Sequence, residues 1–387
     1  LFASIEWALQ NIKSGERLRS LSAFCSFASS FIVEYDQMAT DFNASRSATS
    51  GSVSNMNAAI TAVAHFVPPH VVSNVEISTR LGVTPNWIAE RTGIRERRIA
   101  VEGGTSDLIV PAAEECLRRA NIEAALLDCV LVTTITPDHL TPATAITVIR
   151  RLNASNAWGF DLSAACCGFL YGLVTAAKLI ETGAARRVLV CAGDRMSCVT
   201  DPDDRRTAGL LGDGAGVALV EPSPDADTGL IDFVFRVDPS GETEVVIPAG
   251  GSRQPASAET VRDRKHCLFM SGPPVFRAAV AGLSSITAEL LTRNGLTAGD
   301  LDWFVPHQAN ARILSAVAER LGILPGQLAV NVDRYGNTSA ATIPIVLSEW
   351  WREGRLLRGQ KIVMCSFGAG YTLGAAYLKW AVPPPQT

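Results

Sequence analysis

The chain has 387 residues, 47% of them hydrophobic and 19% charged, with a formal net charge of −4. That length and apolar content suffice for one large α/β unit or two domains around a sizeable core, and the mildly acidic balance argues against nucleic-acid binding as the main task. No apolar run reaches the roughly 18 residues that would suggest a membrane span; nine scattered cysteines with no CxxC pair read as reduced thiols of a cytoplasmic protein without a structural metal.

Residues 1–55 differ from the rest. The chain opens on Leu1, and 40–55 is rich in Ser, Asn, Thr and Ala with nothing to bury. This segment reads as a disordered leader or non-native extension ahead of Met56. From Ala58 the pattern becomes α/β. Ile60–Phe66 reads as a strand and Pro68-Pro69 as a turn, with helices over Val75–Leu81 and Pro85–Thr92 and a turn at Gly93. Ser106–Ala120 reads as a helix capped by Ser106, Cys129–Ile135 as a buried strand and Pro142–Leu152 as a helix. Ala157–Phe160 would end a strand, and Phe169–Ile180 has the length and Ala/Leu content of a buried helix. Val188–Ala192 and Ala215–Val220 are further strands, the second following a Gly-rich turn at 212–216. Beyond the midpoint, Trp303–Val305 reads as a strand and His307–Leu321 as a helix that the histidine opens.

The second half echoes the first. Leu117, Arg119, Ile122, Leu127 and Asp128 recur as Leu291, Arg293, Leu296, Leu301 and Asp302, each 174 residues on (291 − 117). Ser163-Ala164-Ala165 is echoed by Ser339-Ala340-Ala341, and Gly214-Ala215-Gly216 by Gly368-Ala369-Gly370. The expectation is two similar βα halves, 56–230 and 231–387, about a pseudo-twofold axis, with sheets covered by helices. Two helices that start in small residues would meet near that axis.

Three residues could carry chemistry. Cys166 sits where a strand runs into a buried helix, and a helix N-terminus favours a thiolate; the plainer alternative is a buried structural pair, Cys166 and Cys167. Of five histidines, His307 alone stands at the end of a strand and the start of a helix, facing a crevice. Asn337 enters a second buried helix, as a cap or as an amide donor. Together they supply a nucleophile and two neutral donors for an enolate or oxyanion. The backbone N–H of Cys166 and the turn 368–370 could form an oxyanion hole.

WIAERTGIRERRIA (87–100), SAACCGF (163–169), the DPDDRRT and GDGAG block (201–216), VPHQANARI (305–313), YGNTSAATIP (335–344) and SFGAGYTLGAA (366–376) cover almost all of 56–387. In that order they resemble the β-ketoacyl-acyl carrier protein synthase III family of thiolase-like condensing enzymes. The resemblance implies a five-layered αβαβα fold and a homodimer. It implies an acyltransferase that loads Cys166 from an acyl-CoA primer. His307 and Asn337 then promote decarboxylation of malonyl-acyl carrier protein, and a Claisen condensation gives the 3-oxoacyl product that begins fatty acid or related secondary-metabolite synthesis. No cofactor, metal, nucleic acid or membrane is implied; the partners are CoA thioesters and an acyl carrier protein. Cys166 fits better than Cys167, because Gly168 and Phe169 follow it at the family's spacing.

Carried over in the same way, Trp87 and Arg205 would sandwich the CoA adenine, and Arg91 and Arg312 would contact its phosphates and pantetheine arm beside Phe276 and Ala309. The backbone at Cys166 and Ala369 would form the oxyanion hole. Arg277, Arg312 and Arg320 would face an acidic carrier protein. Thr141 and Leu211 stand in the acyl pocket where relatives often have Phe, which suggests a roomier pocket and a longer or branched primer. Pro273-Pro274 also departs from the family pattern near the pantetheine tunnel. The alternative is an acyltransferase moving the Cys166 acyl group to a hydroxyl or amine. A thiolase would need a Gly-His-Pro helix start, which is absent, and elongating ketosynthases use a histidine where Asn337 stands.

Overall fold

The computed structural model describes residues 57–385; the reading of 1–55 as a leader lies outside them. The first sheet is built from β1 (Ala58–Phe66), β2 (Cys129–Thr133), β3 (Trp158–Leu162), β4 (Val188–Arg195) and β5 (Asp213–Pro222), in the spatial order β1-β5-β4-β2-β3. The second holds β6 (Gly229–Val237), β7 (Trp303–Pro306), β8 (Lys361–Gly368) and β9 (Thr372–Lys379), in the order β7-β8-β9-β6. Both sheets mix parallel and antiparallel neighbours: β2 is parallel to β3 and β4, and β7 to β8, while β5 and β9 run against their partners.

Helices fill three layers around them. α1 (Asn74–Leu81) and α2 (Pro85–Thr92) form a small lobe. α3 (Thr105–Ala120) and α4 (Thr144–Leu152) cover the outer face of the first sheet, and α5 (Gly168–Glu181) lies between the sheets. α6 (Gly272–Arg293) and α7 (Ala311–Leu321) cover the outer face of the second, and α8 (Thr342–Arg352) joins α5 in the middle. The result is the αβαβα stack that the motifs imply. Strand alternation explains how one strand serves two layers: Val130 and Val132 of β2 enter the outer core while Cys129 and Leu131 enter the central one. Contrary to the reading from run length, α6 is long and apolar enough to cross a bilayer by length and composition. Its Leu283, Ile286 and Leu290 instead pack on the second sheet, which marks a core helix.

Several element ends differ from expectation, each because a distant side chain intervenes. Gly104, not Ser106, caps α3: the Gly104 N–H donates to the Asp107 carboxylate at 2.7 Å, while the Ser106 hydroxyl accepts from Arg151. α4 starts at Thr144 rather than Pro142, because Asp161 of the neighbouring β3 accepts the N–H groups of Thr144 and Ala145 at 2.7 and 2.8 Å. β2 stops at Thr133, since the buried carboxylate of Asp194 takes the Thr134 hydroxyl and the Ile135 N–H. The Gly-rich segment 212–216 is not a turn; Gly214 and Gly216 lie inside β5. A Cβ on Gly216 would sit 2.7 Å from Pro344 of α8, so the missing side chain lets the central helix approach the strand.

The 174-residue offset runs deeper than the sequence echo suggests. It relates β2 to β7 (303 − 129) and α5 to α8 (342 − 168). It therefore pairs Ala165 with Ser339, not Ser163 with Ser339. Each opens a short 3-10 turn, Ala165–Cys167 or Ser339–Ala341, with left-handed backbone at φ 49° and 55°. The two helix starts do meet, for a Cβ on Gly168 would lie 3.2 Å from the Ala340 Cβ. The second echo is not a symmetry match: Gly214-Ala215-Gly216 lies in β5, whereas Gly368 ends β8, the counterpart of β4.

Candidate active site

The turn after β3 delivers two adjacent cysteines to different fates. Cys167 is buried, and its thiol donates to the Thr372 carbonyl at 3.3 Å. Cys166 keeps partial exposure, its sulfur 3.8 Å from the Ser339 hydroxyl and its carbonyl accepting from the Ser366 hydroxyl at 2.8 Å. Burial pushes the Cys166 thiol up to about 12, outweighing the Ser339 contact that lowers it. Burial thus works against the thiolate that a helix N-terminus favours.

His307 follows β7. Its N–H donates to the Cys365 carbonyl at 2.7 Å, and its Nδ1 lies 2.7 Å from the Thr342 hydroxyl. Burial alone lowers its pKa to about 3, so the imidazole is neutral near pH 7. His307 does not open the next helix. Asn310 does, accepting the Arg312 N–H at 2.8 Å while its amide donates to the Arg91 carbonyl at 3.0 Å, and α7 starts at Ala311.

Asn337 is held by backbone on both sides: its N–H donates to the Leu210 carbonyl at 2.9 Å, and its carbonyl accepts the Gly212 N–H at 3.1 Å. Its Oδ1 accepts the Ser339 N–H at 2.8 Å. That bond fixes which end of the amide is the acceptor and leaves Nδ2 as the donor.

Two elements tie the three residues together. β8 anchors His307 through the Cys365 carbonyl and Cys166 through the Ser366 hydroxyl. The segment 339–342 touches Cys166 through Ser339 and His307 through Thr342. Gly368 brings the end of β8 against Cys166; a Cβ there would fall 2.8 Å from the Cys166 nitrogen. Ala369 follows in the turn.

Sequence reasoning missed three supporting residues. Asp194 is fully buried; its Oδ1 gathers Thr134, Ile135 and Thr136, and its Oδ2 accepts the Ala340 N–H at 3.4 Å. Ser339 was visible only as a small residue in an Ala-rich motif. Thr342 and Asp194 carry no local signal, since their partners lie 35 and 146 residues away.

Around this centre, the Arg91 guanidinium lies 4.3 Å over the Trp87 ring, and that of Arg312 lies 5.6 Å over Phe276. Arg205 is drawn to the end of α1, its Nε donating to the Leu81 carbonyl at 2.6 Å. Ala309 and Phe276 are half-buried against the same outer core. Arg277, Arg312 and Arg320 are all exposed. Leu211 is buried and lines a cavity of about 390 Å³ with Arg97, Ser197 and Thr200. Thr141 does not join it: the loop before α4 carries Thr141 outward, and within one chain it is exposed.

Residues 160–239 match the family 3-oxoacyl-[acyl-carrier-protein (ACP)] synthase III, and residues 291–380 match its C-terminal region. The chain is 45% identical over 328 residues to the beta-ketoacyl-[acyl-carrier-protein] synthase III of Chlorobium phaeovibrioides, covering 84% of this chain and 100% of the relative. The crystal structure of 3-oxoacyl-(acyl carrier protein) synthase III from Pseudomonas aeruginosa PAO1 superposes with a TM-score of 0.79 at 36% identity, covering 85% of this chain and 100% of that one. The priming beta-ketosynthase of the R1128 polyketide biosynthetic pathway gives 0.79 at 37% identity, over 86% and 98% of the two chains. With its thiolase-like fold and these matches across both halves, the chain belongs to the 3-oxoacyl-[acyl-carrier-protein] synthase III family.

Proposed function

We propose that the chain condenses an acyl-CoA primer with malonyl-acyl carrier protein, with Cys166 as nucleophile and His307 and Asn337 as the donors that drive decarboxylation. The carrying observation is the shared anchoring of all three by β8 and the segment 337–342. In the first half-reaction the Cys166 sulfur attacks the primer thioester carbonyl, the bond from that carbon to the CoA sulfur breaks, and the proton lost by Cys166 ends on the CoA sulfur. The oxyanion faces the N–H groups of Cys166 and Ala369, and CoA departs as its thiol. In the second, the malonyl thioester oxygen faces His307 and the Asn337 amide. The bond to the carboxylate breaks, CO2 leaves, and the two neutral donors hold the enolate charge. Its carbon attacks the acyl-Cys166 carbonyl; the carbon–sulfur bond breaks, the 3-oxoacyl-carrier protein is released, and the freed Cys166 sulfur takes up a proton from water to return to the thiol.

Around that core we place the CoA nucleotide between Trp87 and Arg205, its phosphates at Arg91 and Arg312, and its arm along Phe276 and Ala309. The carrier protein docks on the exposed Arg277, Arg312 and Arg320. Leu211 lines the acyl pocket, and Thr141 reaches it across the interface of a homodimer; their small size favours a longer or branched primer. The free thiols among the described residues fit a cytoplasmic enzyme, working without a cofactor.

The test is intact-protein mass after incubation with acyl-CoAs of graded length, for the wild type and Cys166→Ala, followed by malonyl-carrier protein and a CO2 assay. Adducts on the wild type alone, discharged with CO2 release, are expected, and their length profile names the primer. Adducts that survive in Cys166→Ala would move the nucleophile. Acyl transfer to a hydroxyl or amine without CO2 release would favour the acyltransferase alternative.

A further inference from the structure

Thr342 is a buried hydroxyl with one partner, the Nδ1 atom of His307, 2.7 Å away. Helical threonines usually return their hydroxyl proton to a carbonyl one turn back, as Thr92, Thr175 and Thr182 do here. Thr342, the first residue of α8, meets no carbonyl in this way among the described residues. Both it and His307 are only 2% exposed.

Two arrangements of the pair are conceivable. If Nδ1 carried the ring proton, it would donate to the Thr342 oxygen, and the hydroxyl proton would be left without an acceptor in a buried site. If the hydroxyl donates to Nδ1, every group is satisfied and the single ring proton sits on Nε2. We propose that Thr342 is a positioning residue that locks neutral His307 as its Nε2–H tautomer, so that the ring offers the reacting centre a donor and no base.

The consequence is directional. A donor at Nε2 suits an enolate oxygen that gains charge as CO2 leaves. The same ring then has no lone pair facing the centre with which to accept the Cys166 proton, so thiol activation runs by another route; the Ser339 hydroxyl, 3.8 Å from the sulfur, is the group it touches. Burial, which lowers the imidazole pKa, keeps the ring in the neutral state on which this selection acts.

The proposal rests on the role given above to His307, so its test has two arms. The first is two-bond proton–nitrogen NMR on 15N-histidine protein, with His307 assigned by loss of its signal in His307→Gln. Wild type and Thr342→Ser should show Nδ1 unprotonated and Nε2 protonated, and Thr342→Val should show the other tautomer or a mixture. The second arm is CO2 release from a malonyl thioester. Thr342→Val should lose roughly tenfold to a hundredfold in kcat with KM nearly constant, and Thr342→Ser should recover it, which separates the hydroxyl from packing. A wild-type ring protonated on Nδ1, or a Thr342→Val protein unchanged in tautomer or in turnover, overturns the proposal. The expected tautomers with no CO2 release even from the wild type would instead sink the condensing function and leave the tautomer assignment standing.

Discussion

Ala165 and Ser339, 174 residues apart (339 − 165), hold the same left-handed backbone at equivalent places in the two halves. Left-handed backbone at a residue with a Cβ costs on the order of 1–3 kcal/mol, and here it turns the chain sharply into each central helix. The device is symmetric but its use is not. The residue after Ala165 is Cys166, the proposed nucleophile; the residue after Ser339 is Ala340, and the second turn contributes the Ser339 hydroxyl and the bond that orients Asn337. In the proposed mechanism one repeat supplies the group that is acylated, and the other supplies the groups that manage charge.

The Gly368 contact makes a sharp test. Replacing Gly368 by Ala puts a methyl group 2.8 Å from the Cys166 nitrogen, 2.6 Å from the Thr372 hydroxyl and 3.0 Å from the Ala165 Cβ. The Cys166 N–H, assigned above to the oxyanion hole, is thereby crowded. Losing one such donor typically slows acyl transfer by about 10²–10³-fold. Stopped-time mass spectrometry of Cys166 acylation should show a fall of that order in Gly368→Ala. A rate within threefold of wild type, about 0.6 kcal/mol, would remove this N–H from the hole.

Glu349 fixes the approach to Asn337. Its carboxylate is fully buried and accepts from Arg334 at 3.0 and 3.1 Å, from the Asn331 amide at 2.8 Å and from the Tyr335 hydroxyl at 2.6 Å. It thereby ties α8 to the segment that leads into Gly336 and Asn337. Glu349→Ala leaves the Tyr335 and Asn331 donors unpaired in the interior and should cost about 3 kcal/mol, read as a shift in the urea midpoint. A loss under about 0.5 kcal/mol, the usual range for an exposed site, would show that water or a neighbour replaces the carboxylate.

The edge strand β3 carries the homodimer proposal. It pairs on one side only, with β2, and presents Trp158 and Phe160 stacked 6.1 Å apart and both exposed, with Leu140 and Ile146 exposed as well. An unpaired edge bearing aromatic side chains invites a second strand. A second copy of the chain is the expected cover. Phe160→Lys should shift sedimentation toward the monomer and weaken discrimination among primers through the displaced Thr141. A dimer that persists unchanged in Phe160→Lys would place the interface elsewhere.

Much of the site was legible in the sequence, for a physical reason. Cys166 and His307 follow strands and Asn337 precedes a buried helix, and such junctions leave signals in small residues, Gly and Pro over a few positions. Cys166, His307 and Asn337 were singled out as candidates that way. What was not legible is the scaffolding between elements distant in sequence: Asp161 capping α4, Asp194 ending β2, Thr342 on His307. A capping motif is local, but a carboxylate that caps a helix from a neighbouring strand leaves no mark near the helix it starts. The environment of Cys166 was only half legible likewise. Proximity to a helix N-terminus can be seen in sequence, while the burial that overrides it cannot.

Half-buried His65 and buried His307 give the fold a defined acid limb. Burial lowers His65 to about 4 and His307 to about 3, against 6.5 for an ordinary histidine. Below pH 6.5 the unfolded chain therefore binds protons that the native state refuses, and stability falls as the pH drops, by up to about 1.4 kcal/mol per pH unit for each group. Above 6.5 neither contributes. Asp194 and Asp213, whose carboxyls are raised by burial, act with the opposite sign, and Glu115, held near 2 by Arg118 and Arg119, adds its own loss only at lower pH. A difference measurement isolates the histidine term: His65→Gln keeps a polar partner for the Ser348 hydroxyl, 2.8 Å from Nδ1, but removes one titrating ring. Denaturant unfolding at pH 7.5, 6 and 5 should show the variant losing less stability than the wild type on acidification, the gap widening by about 1–2 kcal/mol between pH 7.5 and 5. Parallel curves would mean that the His65 ring takes up its proton in the native state near its ordinary pKa.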